Sequence, residues 1–368
     1  MPRPTDAPTD APAAAATAAS VIFSRCDPVQ RAFHQRWHAL TQPHVRALAA
    51  LLSGPDLLDP AASAWGGQLA SPAELARLLG EDVAGAAALT AWLLALDAEP
   101  QPLAALFDGK PYTRLGLYAE KLMAFYFQQH GMLTLHGLQV RAGKNETVGE
   151  FDFLLRAAGG LLHMELATKF YLFGDLPDLA GGDLRADDCY DYFVGPNLAD
   201  SLGLKMRKIF DQQLHLGEHP AARALLMHAA GGATVSAARA MLKGCLFYRG
   251  DYLRAPSPAG LGAGHARGFW CPMAQWDAAV ADDSHAMVLP KMLWLAPLRL
   301  PSPAEPVTTA QLRARLQLHF QQHNTPLQVA LLELVGDSWI ETRRGFVVAD
   351  DWAQRAGRFI ADLRAGLR

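Results

Sequence analysis

The sequence predicts an α/β fold, a mixed sheet built on the element order α-β-β-β-α-β. Three observations carry that expectation. Residues 147–172, TVGEFDFLLRAAGGLLHMELATKFYL, hold two runs of alternating polarity around an Ala-Ala-Gly-Gly segment, the pattern of a β-hairpin. A helical pattern precedes the hairpin at 113–130 and another follows at 200–216. A further strand pattern at 241–249 completes the order.

With 368 residues the chain is long enough to bury a sizeable core, as one large or two fused domains. Hydrophobic residues make up 51% and charged residues 19%, the balance of a globular protein rather than a disordered one. A formal charge of −3 gives no global basic field, so any nucleic-acid contact must rest on a local patch. The longest apolar run, 83–96, is too short to span a bilayer and reads as a buried helix. Asp6 and Asp10 ahead of the Ala-rich stretch 12–19 argue against a signal peptide, which predicts a cytoplasmic protein.

Taken in order, residues 1–20 are Ala, Pro, Thr and Asp without periodicity, the composition of a disordered tail. Residues 21–105 read as an all-helical N-terminal part. Its pattern from Asp27 to Leu52 is broken by Pro43, and SPAELARLLG (71–80) opens on Ser71 as N-cap with Pro72 at the first helical position. The core is expected over 106–252. Helix 113–130 carries Glu120 between Gly116 and Ala124, a stripe of small residues that lets the helix approach a sheet closely. The other reading of Glu120 is a solvent-facing side chain paired with Arg114 or Lys121. Strand 132–143 leads into the hairpin, and a loop rich in Asp, Gly and Pro follows Phe173. Its acids Asp175, Asp178, Asp183, Asp187, Asp188 and Asp191 do not follow the EF-hand spacing and read as a solvated loop. In the next helix Leu202, Met206, Ile209 and Leu216 form an apolar stripe, while Lys205, Lys208 and Gln212 share a polar face whose lysines suit phosphate oxygens; the other reading of that face is a solvated amphipathic surface. A short helix at 220–230 precedes a strand at 240–252. Residues 253–368 are expected as a C-terminal α/β part packed on the core. It includes a proline-interrupted 287–300, a helix at 308–323, a hairpin turning at Gly336-Asp337 and a closing helix at 350–367.

The hairpin poses the chemical question. Alternation puts Phe151, Phe153 and Leu155 on one face of the first strand, with Glu150, Asp152 and Leu154 on the other. On the second strand Met164, Leu166 and Phe170 oppose His163, Glu165, Ala167 and Lys169. A turn centred between Ala158 and Gly159 sets Asp152 across from Glu165 and Glu150 across from Ala167. Cβ atoms of such pairs lie roughly 4.5–5.5 Å apart, where like charges destabilise a sheet. Acids so placed ask for a cation. If Glu120, Asp152 and Glu165 converge, they form an oxygen-rich set suited to Mg²⁺ or Mn²⁺, an ion able to polarise a phosphodiester.

Other chemistries lack their signatures. No P-loop, H-E-x-x-H or G-x-S-x-G string occurs, and GAGHARG (262–268) has the wrong spacing for a dinucleotide loop. Cys26, Cys189, Cys245 and Cys271 are far apart and include no C-x-x-C pair, which argues against a zinc ribbon and against a disulfide framework. The thirteen histidines show no ligand-like spacing.

The element order, with Asp152 on the second strand and Glu165…Lys169 on the third, resembles the restriction-endonuclease-like PD-(D/E)XK phosphodiesterase superfamily. More closely, LGLYAEKL, GEFDFLL, ELATKFYL, GPNLADSLGLKMRK and LPKMLWLAP look like a bacterial family of unknown function placed in that superfamily, over roughly 40–350. The resemblance implies a restriction-endonuclease-like αβββαβ core with a helical N-terminal and an α/β C-terminal extension. It also implies a nuclease that hydrolyses DNA or RNA with Mg²⁺ or Mn²⁺. Asp152, Glu165 and Glu120 would hold the metal, with Glu150 beside them. The usual lysine stands two residues after the third-strand acid, where this chain has Ala167. Lys169 sits a further ~6.6 Å along the same face, and Lys205, Lys208 and Gln212 offer polar groups from the next helix. That departure keeps two alternatives open. One is a nuclease-like fold that binds nucleic acid or protein without cleaving, its acids and lysines an ion-pair network. The other is a different α/β enzyme or a metabolite-binding protein.

Overall fold

The computed structural model describes residues 26–62, 65–71, 85–109, 112–144, 146–174, 189–255, 258–280 and 284–367. The expected tail over 1–20, the helix over 71–80 beyond Ser71, and Asp175, Asp178, Asp183, Asp187 and Asp188 lie outside these residues.

The chain is mixed α/β, organised by one sheet with eleven strands among the described residues. Helix α1 (Pro28–Arg36) starts at a proline behind Asp27, whose Oδ1 accepts the N–H of Val29 at 2.8 Å, a side-chain cap on an otherwise orphan donor. Helix α2 (Pro43–Ser53) likewise starts on Pro43, and α3 is Gly85–Ala98. Helix α4 (Leu115–Gln129) leads into β1 (Leu133–Gly143), β2 (Glu146–Ala157) and β3 (Gly160–Phe173). After β4 (Phe193–Val194) come α5 (Leu202–Asp211), capped by Ser201, a 3-10 turn at Gln213–Glu218 and α6 (Pro220–Ala229). Strand β5 (Val235–Tyr248) then lies parallel to β3, pairing Glu165 with Ala240 and Lys169 with Gly244. It starts five residues earlier than its sequence pattern suggests, because Val235–Arg239 continue the ladder beside Leu161–Met164.

The C-terminal part does not merely pack on this unit; it extends the same sheet. Strands β6 (Arg267–Pro272), β7 (His285–Val288), β8 (Arg299–Pro301), β9 (Val307–Thr308), β10 (Leu327–Val335) and β11 (Ser338–Val348) give the order β1-β2-β3-β5-β6-β11-β10-β7-β9. The β5–β6 and β6–β11 pairs are parallel. The outer edge of β5 carries donors and acceptors that need partners, and β6 supplies them. The hairpin β10–β11 turns at Gly336-Asp337, as its sequence suggests. Helix α7 (Thr309–Gln322) carries a capping box between Thr308 and Gln311, and α8 (Trp352–Arg364) closes the chain.

Alternation along β3 sorts the core into two layers. Met164, Leu166 and Phe170 join Leu48 of α2, Leu122 of α4 and Ile360 of α8. Ala167 and Tyr171 join Leu202, Met206 and Ile209 of α5 and Leu312 of α7. Two expectations need correction. Helix α3 is not a buried helix: only Leu93 and Leu96 are buried, and Leu94 is exposed. Its many alanines raise hydropathy without forming a broad face to bury. In β2, Phe151 and Phe153 do not share a face. Phe153 packs on Phe127 of α4, while Phe151 stands edge-on to His163 beneath Leu154 and Leu216. The break falls at Asp152. Opposite it, between the pairs His136–Phe153 and Leu138–Phe151, Gly137 takes φ +61°, a left-handed conformation that favours glycine. No described helix is long and apolar enough to cross a membrane.

Candidate functional site

The backbone ladder between β2 and β3 ends at Phe153–Met164. The same register carried one pair further sets Asp152 opposite Glu165, as alternation and the turn position require. There the strands part, and Asp152 Oδ2 accepts the N–H of Leu166 at 2.9 Å in place of a backbone carbonyl. Burial, then the neighbouring charge of Glu165, pushes the Asp152 carboxyl up to about 8, with Glu120 adding to the rise and Lys205 opposing it.

Glu165 is 1% exposed. Its Oε1 lies 2.9 Å from Nε2 of His163, and its Oε2 accepts from Nε2 of Gln213 at 2.6 Å. The other end of the same amide, Gln213 Oε1, accepts from Nζ of Lys205 at 3.1 Å. A continuous path therefore runs Lys205–Gln213–Glu165–His163. Burial lowers the pKa of Lys205, against the pull of Glu165 and Asp152; the charges of Lys169 and Lys208 reinforce the lowering.

Helix α4 delivers Glu120 to this place. Its Oε1 folds back over Gly116, 3.7 Å from where a Cβ there would stand. Neither Arg114 nor Lys121 pairs with it; Lys121 lies over the Tyr112 ring instead. Burial raises the Glu120 pKa first, followed by Glu150 and Glu165. Glu150 pairs through its backbone with Gln139 and is exposed, its Oε1 lying over Gly137.

The expected lysines part company. Lys169 Nζ lies 2.6 Å from Asp200 Oδ2, an oxygen that also accepts from Tyr171 Oη at 2.8 Å. Lys208 and Gln212 are exposed; helix α5 ends at Asp211, and the 3-10 turn beyond it presents Gln213 rather than Gln212 to Glu165. Three residues of the network were not singled out by sequence reasoning: His163, Gln213 and Asp200. His163 carried a readable signal, two residues before Glu165 on the same strand face. Gln213 and Asp200 carried none, because both depend on where irregular turns end.

Among the described residues no group of three or more His, Cys, Asp or Glu side chains is disposed to hold a metal ion. Among the described residues no hydrogen bond occupies Glu120 or Oδ1 of Asp152, and three mutually repelling carboxylates face one ammonium. Such a set is completed by an added cation or by a proton on Asp152.

The chain matches the family model described as "Domain of unknown function (DUF1853)" over residues 46–348. No curated protein and no solved structure matches it.

Proposed function

The chain belongs to the DUF1853 family, and from that premise we propose that it is a divalent-cation-dependent nuclease acting on the phosphodiester bonds of DNA or RNA. The observation that supports this reading most is the buried Asp152 carboxyl, raised by the charges of Glu165 and Glu120 and opposed by that of Lys205. With β4 and α6 set aside as additions, the order α4-β1-β2-β3-α5-β5 resembles that of a restriction-endonuclease-like core, and on that resemblance the three acids would stand where such a core holds its metal. Asp152, Glu120 and Glu165 would bind Mg²⁺ or Mn²⁺, which supplies Lewis-acid polarisation of the phosphoryl oxygen and charge neutralisation at the leaving oxygen.

The rest is the work of the chain's own groups. Gln213 fixes the orientation of Glu165 through Oε2 and ties it to Lys205. Lys205, desolvated and of lowered pKa, holds its positive charge beside the acids and can hold or give up a proton at Nζ. Ala167, where a lysine is usual, leaves that role to the helix.

A second reading rests on a specific observation: both oxygens of Glu165 are already hydrogen-bonded. A network closed in this way, with Asp152 protonated, binds nucleic acid or protein without cutting. The test is incubation of the full chain with single- and double-stranded DNA and RNA under Mg²⁺ and Mn²⁺, with binding followed in parallel. Cleavage lost in Asp152→Asn supports the nuclease. Binding without cleavage of any substrate under either ion replaces it with the second reading.

A further inference from the structure

A carboxylate as buried as Glu165 keeps its charge only where donors replace the water it has lost. At Glu341, the other buried glutamate, a cation does so, because Arg344 pairs with it directly. The direct partners of Glu165 are instead the amide of Gln213 and the imidazole of His163. Lys205 stands one step further out, at the far end of that amide.

His163 is fully buried. Alternation on β3 sets it on the face of Glu165, and the ladders hold its backbone between Leu154 of β2 and Ala238 of β5. Its ring stands edge-on to Phe151, with centroids 4.7 Å apart. Nδ1 is buried and has no hydrogen-bond partner. An imidazolium would make Nδ1 a donor without an acceptor and add a charge without water. A proton on Glu165 Oε1, donated to Nε2, would also leave an orphan N–H at Nδ1. The neutral ring with its proton on Nε2 leaves only one bare lone pair, and it satisfies the 2.9 Å contact to Oε1.

Two neutral donors orient a carboxylate without cancelling its charge. A carboxylate has about four lone-pair sites; these two bonds take one on each oxygen and leave both oxygens able to bind further. Acids that ligate metals rely on such outer partners for their orientation.

We propose that His163 is a positioning residue for Glu165: its Nε2–H fixes Oε1, as Gln213 fixes Oε2, and holds the carboxylate charged beside Asp152 for a divalent cation. The inference rests on the metal-dependent reading above and adds to it the group that prepares the third-strand acid. A histidine that only fills space needs no donor at Nε2.

The test is calorimetric titration of the full chain with Mn²⁺, with thermal melts recorded without the ion. His163→Gln carries an amide donor to the place of Nε2 and is expected to bind Mn²⁺ nearly as wild type does. His163→Asn has the same chemistry, but its amide ends where Nδ1 stood, short of Glu165. It is expected to weaken Mn²⁺ binding by about 10–100-fold, and His163→Leu likewise. A bond to Glu165 is also visible without substitution. With histidine labelled at its ring nitrogens, the Nε2–H signal that His163→Gln removes is expected to shift when Mg²⁺ is added to wild type. Equal Mn²⁺ affinity of the Gln and Asn variants, or an Nε2–H signal unmoved by bound Mg²⁺, overturns the proposal and leaves the metal site standing. Absence of heat with Mn²⁺ in wild type overturns both.

Discussion

Lys169 donates to Asp200 across 2.6 Å, and Asp200 is held in turn by the Tyr171 hydroxyl. The lysine that lies on the strand of Glu165 is thus committed to a partner outside the acid cluster. Lys205 reaches the cluster through Gln213 instead. In a metal-supplemented cleavage assay, Lys205→Met is expected to lower the rate by about 10²–10³-fold, the usual effect of removing one preorganised charge from a transition state. Lys169→Met should cost less than about tenfold. The reverse ranking in single-turnover rates would move the catalytic charge back to β3.

The acid cluster makes a prediction that needs no substrate. A ligand present at a hundred times its Kd stabilises the folded state by about 2.7 kcal/mol. Mg²⁺ or Mn²⁺ is therefore expected to raise the melting temperature by roughly 3–4 °C. Asp152→Asn should abolish the rise. The variant should not be less stable than wild type in the absence of metal, because burial beside Glu165 already disfavours the Asp152 charge. Scanning fluorimetry with and without the ions reads both effects, and an equal rise in wild type and variant would place the ions elsewhere.

Much of this arrangement is legible in the sequence, and the limits have physical causes. The alternation of residues 160–173 gives the face of Glu165 directly, because side chains on a regular strand alternate without exception until a bulge intervenes. Such an irregularity intervenes at Asp152, where Gly137 takes φ +61° on the neighbouring strand. Counting by twos therefore places Phe151 and Phe153 together, and the structure separates them. The small residues around Glu120 point it correctly toward the sheet, since Gly116 leaves room for its carboxylate. Gln213 was beyond reach. A helix continued at 3.6 residues per turn presents Gln212, and only the 3-10 turn after Asp211 brings the next amide to Glu165.

Two buried histidines oppose folding in acid. Burial lowers the pKa of His34 to about 3 and that of His265 to about 4, against 6.5 for an unburied imidazole. His34 is hydrogen-bonded to the carbonyl of Glu341 at 2.8 Å, and His265 lies between the Tyr248 hydroxyl and the carbonyl of Gly262. Between those values and pH 6.5 the unfolded chain binds protons that the folded chain refuses. Stability therefore rises with pH across this window; it is fully present above pH 6.5 and lost as pH falls toward 4 and 3. At pH 4 each site is expected to cost on the order of 3 kcal/mol. The raised Asp152 carboxyl acts in the opposite sense over the same window, so the histidine contribution is read as a difference: from pH 7 to pH 4 the urea midpoint of His265→Gln should gain on that of wild type, and parallel midpoints would remove His265 from the acid response.

Gly244 offers the sharpest test of the sheet itself. It pairs with Lys169 in the parallel β3–β5 ladder at φ +139°, in the region L side chains rarely adopt. A Cβ built there would stand 1.8 Å from the Lys169 carbonyl oxygen and 2.9 Å from its nitrogen. Backbone cannot swing aside as a flexible side chain does, so the two strands must separate or the residue must leave its conformation. Either course breaks ladder bonds next to Phe170 and Cys245, both packed in the larger core. Gly244→Ala is thus expected to lower stability by about 3 kcal/mol or more, well above the effect of a typical surface substitution. Gly357→Ala, in α8 where nothing stands within 4 Å of a Cβ, should leave stability unchanged or slightly higher. Denaturant midpoints for the two variants, measured side by side, decide it: similar midpoints would mean that β5 does not run against β3 at this register.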